Sequence, residues 1–257
     1  MPWADRNSQW RGCQVDYAVV FKWARDPQTA RVSADGAVDW GRSQPVVGDD
    51  EPAAIEIAKI LAQPTGARLV GVTIAGGDLA WAAARGAQET IIVTDATPDQ
   101  DTSATAAMLA AVVRSTPSIG LVTIGDSAWN RALPVALAAA LGWPCIAQVE
   151  SAEPCGEDRI RVGRKSGTGV DVIETALPVV LACVAHAEEK KTPGMKEILA
   201  ARRAPQVKVT IAELNAAAPD RVVSRGTRVP DSARVQLFEG DNAASELVAA
   251  LRADGVC

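Results

Sequence analysis

Three short stretches carry residues that could do chemistry: Ala75-Gly76-Gly77-Asp78, Gly125-Asp126-Ser127-Ala128-Trp129-Asn130-Arg131, and the consecutive acids Asp49, Asp50 and Glu51. The first two follow apolar runs of strand type. They would leave the carboxyl ends of strands, where open α/β sheets gather ligands and helix N-termini turn unpaired N–H groups toward anions. Gly125, Asp126, Ser127, Asn130 and Arg131 are therefore the candidate nucleotide-binding residues. Neither stretch is a fingerprint, because no G-x-G-x-x-G opens a helix. "GRKSGTG" at 163–169 lacks the closing Gly-Lys-Ser/Thr of a phosphate loop and reads as a turn between strands. The three acids could hold Mg²⁺ or act as acid and base, but a first helical turn favours Asp and Glu on its own account.

Other chemistry is excluded by what the chain lacks. His186 is the only histidine among 257 residues, so a histidine metal cluster is ruled out and a Ser-His-Asp triad would have to use that one residue. It follows the apolar run "LPVVLACVA" and reads as a strand-end residue. Cys13, Cys145, Cys155, Cys183 and Cys257 are dispersed, odd in number and contain no C-x-x-C pair, which argues against a disulfide framework or a zinc site. No nucleophile stands beside a plausible base. The expectation is no catalytic residue and no metal, with any chemistry belonging to a cofactor. A net charge of −5 without a basic stripe argues against nucleic acid. The N-terminal "MPWADRNSQWRG" has no apolar signal region, and the most apolar run, 177–187, is too short to span a bilayer. The expected setting is cytoplasmic and not membrane-embedded.

The elements that must position these residues alternate as in a mostly parallel sheet with helices packed on it. Residues 15–23 read as the first strand. Asp35-Gly36 between Val32 and Val38 predicts a hairpin. Residues 51–63 read as a helix with Ala54, Ile57, Ala58 and Leu61 on one face and Glu56 and Lys59 away from it. Strands are expected at 67–75 and in "ETIIVTD", then a helix at about 103–114 with Thr102 and Ser103 as caps, then a strand ending at Gly125-Asp126. Residues 133–141 are helical, with Pro134 tolerated in the first turn. Four strand-like runs follow, "PCIAQVE", "DRIRVGR", "VDVIETA" and "LPVVLACVA". From about Pro205 the apolar residues thin out, and a closing helix spans 243–253, with Asn242 as cap, Leu247, Val248 and Leu251 on one side and Gly255 as stop. The division expected is an N-terminal extension (1–14), an α/β core (15–204, including a loop at 188–203) and a C-terminal arm (205–257) that needs a surface to lie on.

Taken in order, "VVFKWARDPQTARV", "GDDEPAAIEIAKIL", "RGAQETIIV", "IGDSAWNRALPVALAAALGWP", "RVGRKSGTGVDVIETALPVVLACVA", "PGMKEILAARRAPQVKV" and "DSARVQLFEGDNAASELVAALRADGV" resemble the β subunit of electron transfer flavoproteins from about Val15 onward. The resemblance implies a nucleotide-binding-type α/β core and an arm embracing an α subunit. It also implies FAD held mainly by the α subunit, and electrons passing from an acyl-CoA dehydrogenase-like flavoenzyme to a quinone reductase, so that this chain is an electron carrier subunit and not an enzyme. In that family the β core buries an AMP.

The resemblance gives a meaning to "KTPGMKEILAARR". Met195 stands where the family has the leucine that anchors in the partner dehydrogenase, and a flexible thioether suits such a contact. Pro193, Gly194, Lys196 and Ile198 complete the expected partner-binding group, with Arg202 and Arg203 free to face acidic groups. The sequence also departs from the family. Ala132-Leu133-Pro134 replace a Gln-Thr-Gly on the phosphate-facing helix, and Pro134 offers no N–H. Asn130 and Arg131 could partly replace the lost donors. Residues 48–51 have turned acidic, which argues against AMP, or a second FAD, held in the family's manner. The alternative reading is a free-standing α/β protein that binds or hydrolyses adenine nucleotide.

Overall fold

The computed structural model describes residues 15–41, 44–74, 77–96, 101–126, 132–156, 158–185, 192–216 and 235–256. The chain divides into two compact units, one of 1–30 with 40–224 and one of 31–39 with 225–257.

The larger unit is built on a nine-stranded sheet. Its strands are β1 (Asp16–Val20), β6 (Leu69–Ile74), β7 (Glu89–Val93), β8 (Ile119–Gly125), β9 (Cys145–Pro154), β10 (Arg159–Ser166), β11 (Gly169–Ala176), β12 (Val179–Cys183) and β13 (Gln206–Val209). Their spatial order is β11-β10-β9-β12-β8-β1-β6-β7-β13. All neighbours from β9 to β13 along that order pair in parallel, while β10 pairs antiparallel with both β9 and β11. The expected mostly parallel α/β sheet with flanking helices is what the chain forms. Helix α1 (Glu51–Thr65) packs on one face, and α2 (Thr102–Ser115) and α3 (Leu133–Leu141) on the other.

Strand alternation explains the two cores. Tyr17, Val19 and Phe21 point to the α1 side with Ile55, Ala58 and Leu61, while Ala18 and Val20 point to the other side with Met108, Leu109 and Leu137. Because both faces are covered, the central strands are apolar throughout, and β1, β6 and β8 are buried along their whole length. At the amino ends of these strands Asp16 is nearly buried and accepts hydrogen bonds from the Arg68 guanidinium (2.8 Å) and the Ser118 hydroxyl (2.7 Å), while Arg68 also reaches Glu89 at 2.9 Å. One arginine thus ties three neighbouring strands together.

The structure shifts several expected boundaries. The first strand ends at Val20: the Phe21 N–H still reaches the Val72 carbonyl oxygen at 3.1 Å and its ring stacks on Trp81 (centroids 5.1 Å apart), but Trp23–Arg25 becomes a separate strand, β2, paired with β5 (Pro45–Val47). The cap of α2 is not Thr102 or Ser103 but Asp101, whose carboxylate accepts from the backbone N–H groups of Ser103 (3.1 Å) and Ala104 (3.3 Å). Helix α1 runs to Thr65, with Pro64 in its last turn, and ends at Gly66 with φ 67°. Gln206–Val209, the first residues of the thinly apolar stretch, form the edge strand beside β7.

The smaller unit contains the expected hairpin, β3 (Arg31–Val32) with β4 (Val38–Asp39), closed by Gly36 at φ 82°, and the C-terminal helix α5 (Ala243–Ala253). Asn242 stands at the N-cap position of α5 without making a side-chain cap hydrogen bond, and none of its residues is buried. Among the described residues no helix is long and apolar enough to cross a membrane.

Ile124 is fully buried in β8 between its neighbours and the α2–α3 layer. Ile124→Ala should lower the unfolding free energy of the purified chain by about 2–5 kcal/mol, read from the shift in urea midpoint at unchanged slope.

Candidate functional site

In chain order the sheet grows from β1 outward through β6 and β7, and then α2 carries the chain back to place β8 on the other side of β1. The connections therefore diverge between β1 and β8, and the carboxyl ends of those two strands frame the crevice where such sheets take ligands. Lys22 follows β1. Gly125 and Asp126 end β8. The antiparallel ribbon of β2 and β5, with Trp23 opposite Val47, brings Gly48-Asp49-Asp50-Glu51 and the start of α1 over the same spot.

Glu51 is the unexpected resident. It is the first residue of α1, yet its exposure is 0%. Its carboxylate lies against two glycine backbones: a Cβ on Gly48 would be 2.8 Å from Oε2, and one on Gly125 would overlap the carboxylate and sit 2.9 Å from the Glu51 nitrogen. Only glycine leaves room for the group at either place. Neither carboxylate oxygen closes a hydrogen bond, and the Lys22 Nζ and Trp23 Nε1 are likewise buried without a partner. The Trp23 indole covers Gly77, so that any side chain there would collide with the ring.

Burial pushes the Glu51 carboxyl up to about 7, with Asp50 adding to the rise, while the Lys22 charge and the nearby backbone N–H groups of Glu51 and Lys22 oppose it without closing a hydrogen bond of ordinary geometry. Burial lowers Lys22, against the pull of Glu51, Asp50 and Asp126. The two flanking acids are held by backbone: Asp50 accepts from the Ala185 N–H at 2.8 Å and Asp126 from the Gln148 N–H at 3.2 Å. Gln148 takes φ 57°, a left-handed conformation uncommon outside glycine, in the irregular stretch of β9 beside β12. Cys145 and Cys183 are poor nucleophiles in this setting: burial raises Cys145 to about 11 and Cys183 further.

Of the residues expected to form a nucleotide site, Gly125 and Asp126 stand in the crevice, and Ser127, Asn130 and Arg131 lie outside the described residues, as do Ala75, Gly76, His186 and 188–191. Asp78 accepts from the Ala80 N–H at 3.0 Å and shapes the turn toward Trp81. Residues 163–169 form the end of β10 and its turn into β11, with Gly167 at φ 58°. Sequence reasoning grouped Glu51 with Asp49 and Asp50 as acids that could hold Mg²⁺ or act as acid and base, favoured an ordinary first helical turn for them, and did not single out Lys22 for chemistry. The available signal was a lysine at the end of the apolar run 17–21.

The partner-binding group sits elsewhere. Met195 opens helix α4 (Met195–Ala201), which packs by Ala201 against the turn at Ala83–Arg85. Met195 is 71% exposed and Leu199 55%, Lys196 and Gly194 are exposed, and Pro193 and Ile198 are half-buried. The Glu197 carboxylate accepts from the Gly194 N–H and fixes the start of the helix.

Residues 50–214, from the crevice acids through β13, match the family model described as the electron transfer flavoprotein domain. The chain belongs to that family. No curated protein matches it closely enough to count as a relative. The family match thus begins one residue before Glu51 and takes in α1, the whole run from β6 to β13 and the α4 segment.

The buried carboxyl of this electron transfer flavoprotein domain makes stability depend on pH. Between about 4.5, the carboxyl's unperturbed value, and about 7 the folded chain holds a proton that the unfolded chain releases. The Glu51 contribution therefore falls as pH rises through that window and is fully lost above it. Urea unfolding at a series of pH values should show Glu51→Gln gaining on the unsubstituted chain across the window, by on the order of 2–3 kcal/mol above neutrality. A difference that is flat with pH would exclude a titrating, buried Glu51.

Proposed function

We propose that this chain is the β subunit of a heterodimeric electron transfer flavoprotein. It acts as an electron carrier subunit in the cytoplasm, and FAD is held chiefly by the α subunit. Electrons enter from a flavin dehydrogenase of the acyl-CoA dehydrogenase kind and leave to a quinone reductase. The observation that carries this reading is the electron transfer flavoprotein domain spanning 50–214, which takes in four of the seven β-subunit-like segments whole and nearly all of a fifth, while the segments at 19–32 and 231–256 lie outside it.

The exposed α4 supports the partner assignment. A helix of seven residues that buries only Ala201 presents Met195 and Leu199, one turn apart, to solvent. Lys196, Arg202 and Arg203 are exposed beside them. An apolar tip rimmed by cations fits an apolar socket edged with acidic groups, and methionine adapts its shape to such a socket at low cost. The apolar side of α5, with Leu247 46% and Val248 42% exposed, supports an arm that lies on an α subunit.

Co-expression with an α subunit should yield a heterodimer carrying one FAD. A flavin-free monomer that binds adenine nucleotide would instead favour the free-standing nucleotide-binding reading. In the heterodimer, Met195→Ala should lower kcat/KM for donor-dependent flavin reduction about 5- to 30-fold, the effect of truncating a central contact, with flavin content and unfolding midpoint unchanged. Unaltered donor kinetics would remove Met195 from the interface.

A further inference from the structure

The nucleotide implied for the β core by its resemblance was tested against the crevice itself. A phosphate entering between β1 and β8 would need N–H donors, cations and open space above the glycines that let it approach the backbone. The described residues offer the reverse. The space above Gly48 and Gly125 is taken by the Glu51 carboxylate, and that above Gly77 by the Trp23 indole. Three carboxyl groups, Glu51, Asp50 and Asp126, act on one lysine, so the crest favours positive over negative charge. Pro134 stands in the first turn of α3 without an N–H to give. AMP, or a second FAD, does not fit here.

We infer that the switch-point crevice of this chain is closed to nucleotides by its own side chains, with the Glu51 carboxyl in the place a phosphate-bearing ligand would need and Lys22 as its counter-charge. The orphaned groups match each other in number and kind. Two buried donors, Lys22 Nζ and Trp23 Nε1, face the need of two buried acceptors, Glu51 Oε1 and Oε2. A set so balanced can be satisfied internally or through water, whereas a phosphate would satisfy the donors and leave the carboxylate facing another anion. The floor of the crevice remains built of glycine because the carboxylate, not a ligand, requires the room. The inference concerns the crevice alone and holds whether or not the chain is a β subunit.

Removing the Glu51 carboxyl clears the space over Gly48 and Gly125 and takes away the carboxyl that acts most strongly on Lys22, leaving only Asp50 and Asp126 to offset that cation at the head of a fifteen-residue helix. That is the setting in which an anion is attracted. The experiment uses the purified full chain, with an α subunit where one co-purifies, and measures acid-released adenine nucleotide and calorimetric binding of AMP. The unsubstituted chain should release less than about a tenth of an equivalent and bind no AMP at millimolar concentration. Glu51→Ala should gain AMP affinity by about tenfold or more, and Glu51→Gln, which keeps the bulk, should not. Stoichiometric AMP in the unsubstituted chain overturns the inference. So does a Glu51→Ala protein with an unaltered unfolding midpoint that still binds none, because the block would then lie elsewhere. Should the alanine variant not fold, the nucleotide content of the unsubstituted chain and of Glu51→Gln decides the matter. FAD on the α subunit contributes an adenine dinucleotide that chromatography separates from AMP, so loss of the heterodimer and failure of the closed crevice read out independently.

Discussion

A carboxyl group taken wholly out of water must find a cation, gather hydrogen bonds or keep its proton. Glu51 does none of the first two completely, and the geometry around it follows from that. Gly48 and Gly125 are bare so that the group can lie flat on backbone; β1 stops at Val20 so that Lys22 can turn over it; β2 pairs with β5 so that the acid-bearing segment is carried there at all. The crest of the sheet is organised around one desolvated acid.

Much of this fold was legible in the sequence because it is written in periodicity. The all-apolar runs that became β6, β8 and β12 are what a sheet covered on both faces demands, and Ala54, Ala58 and Leu61 fell on the buried side of α1 as their spacing required. The departures came from long-range contacts that no local pattern records. Trp23–Arg25 was drawn away from the first strand by pairing with Pro45–Val47, and Gln206–Val209 was drawn into an edge position beside β7 that its sparse apolar content does not announce. Asp101 displaced Thr102 and Ser103 as the cap of α2 because a carboxylate one residue earlier reaches both orphan N–H groups.

At the site, the loop positions were legible and the chemistry was not. Gly125 and Asp126 do lie where the strand pattern put the end of β8, because topology alone sets that position. Burial of Glu51 depends on three separate segments converging, so its type and its neighbours in sequence gave it the same reading as any acid that greets a helix dipole. The neighbouring acid Asp49 does remain exposed, which shows how little the local sequence distinguishes the two.

The chain that leaves the sheet at Cys183 re-enters it at Gln206, on the far side of β8, β1, β6 and β7, and α4 lies on that route. Both ends of the excursion are therefore strands of one sheet. A tip of this kind is not a tail that must be ordered when it meets another molecule. For α4 itself, much of the conformational entropy that a free segment of the same composition would surrender has already been lost in folding. Any contact that the exposed Met195 and Leu199 make then needs little further ordering of the helix that carries them.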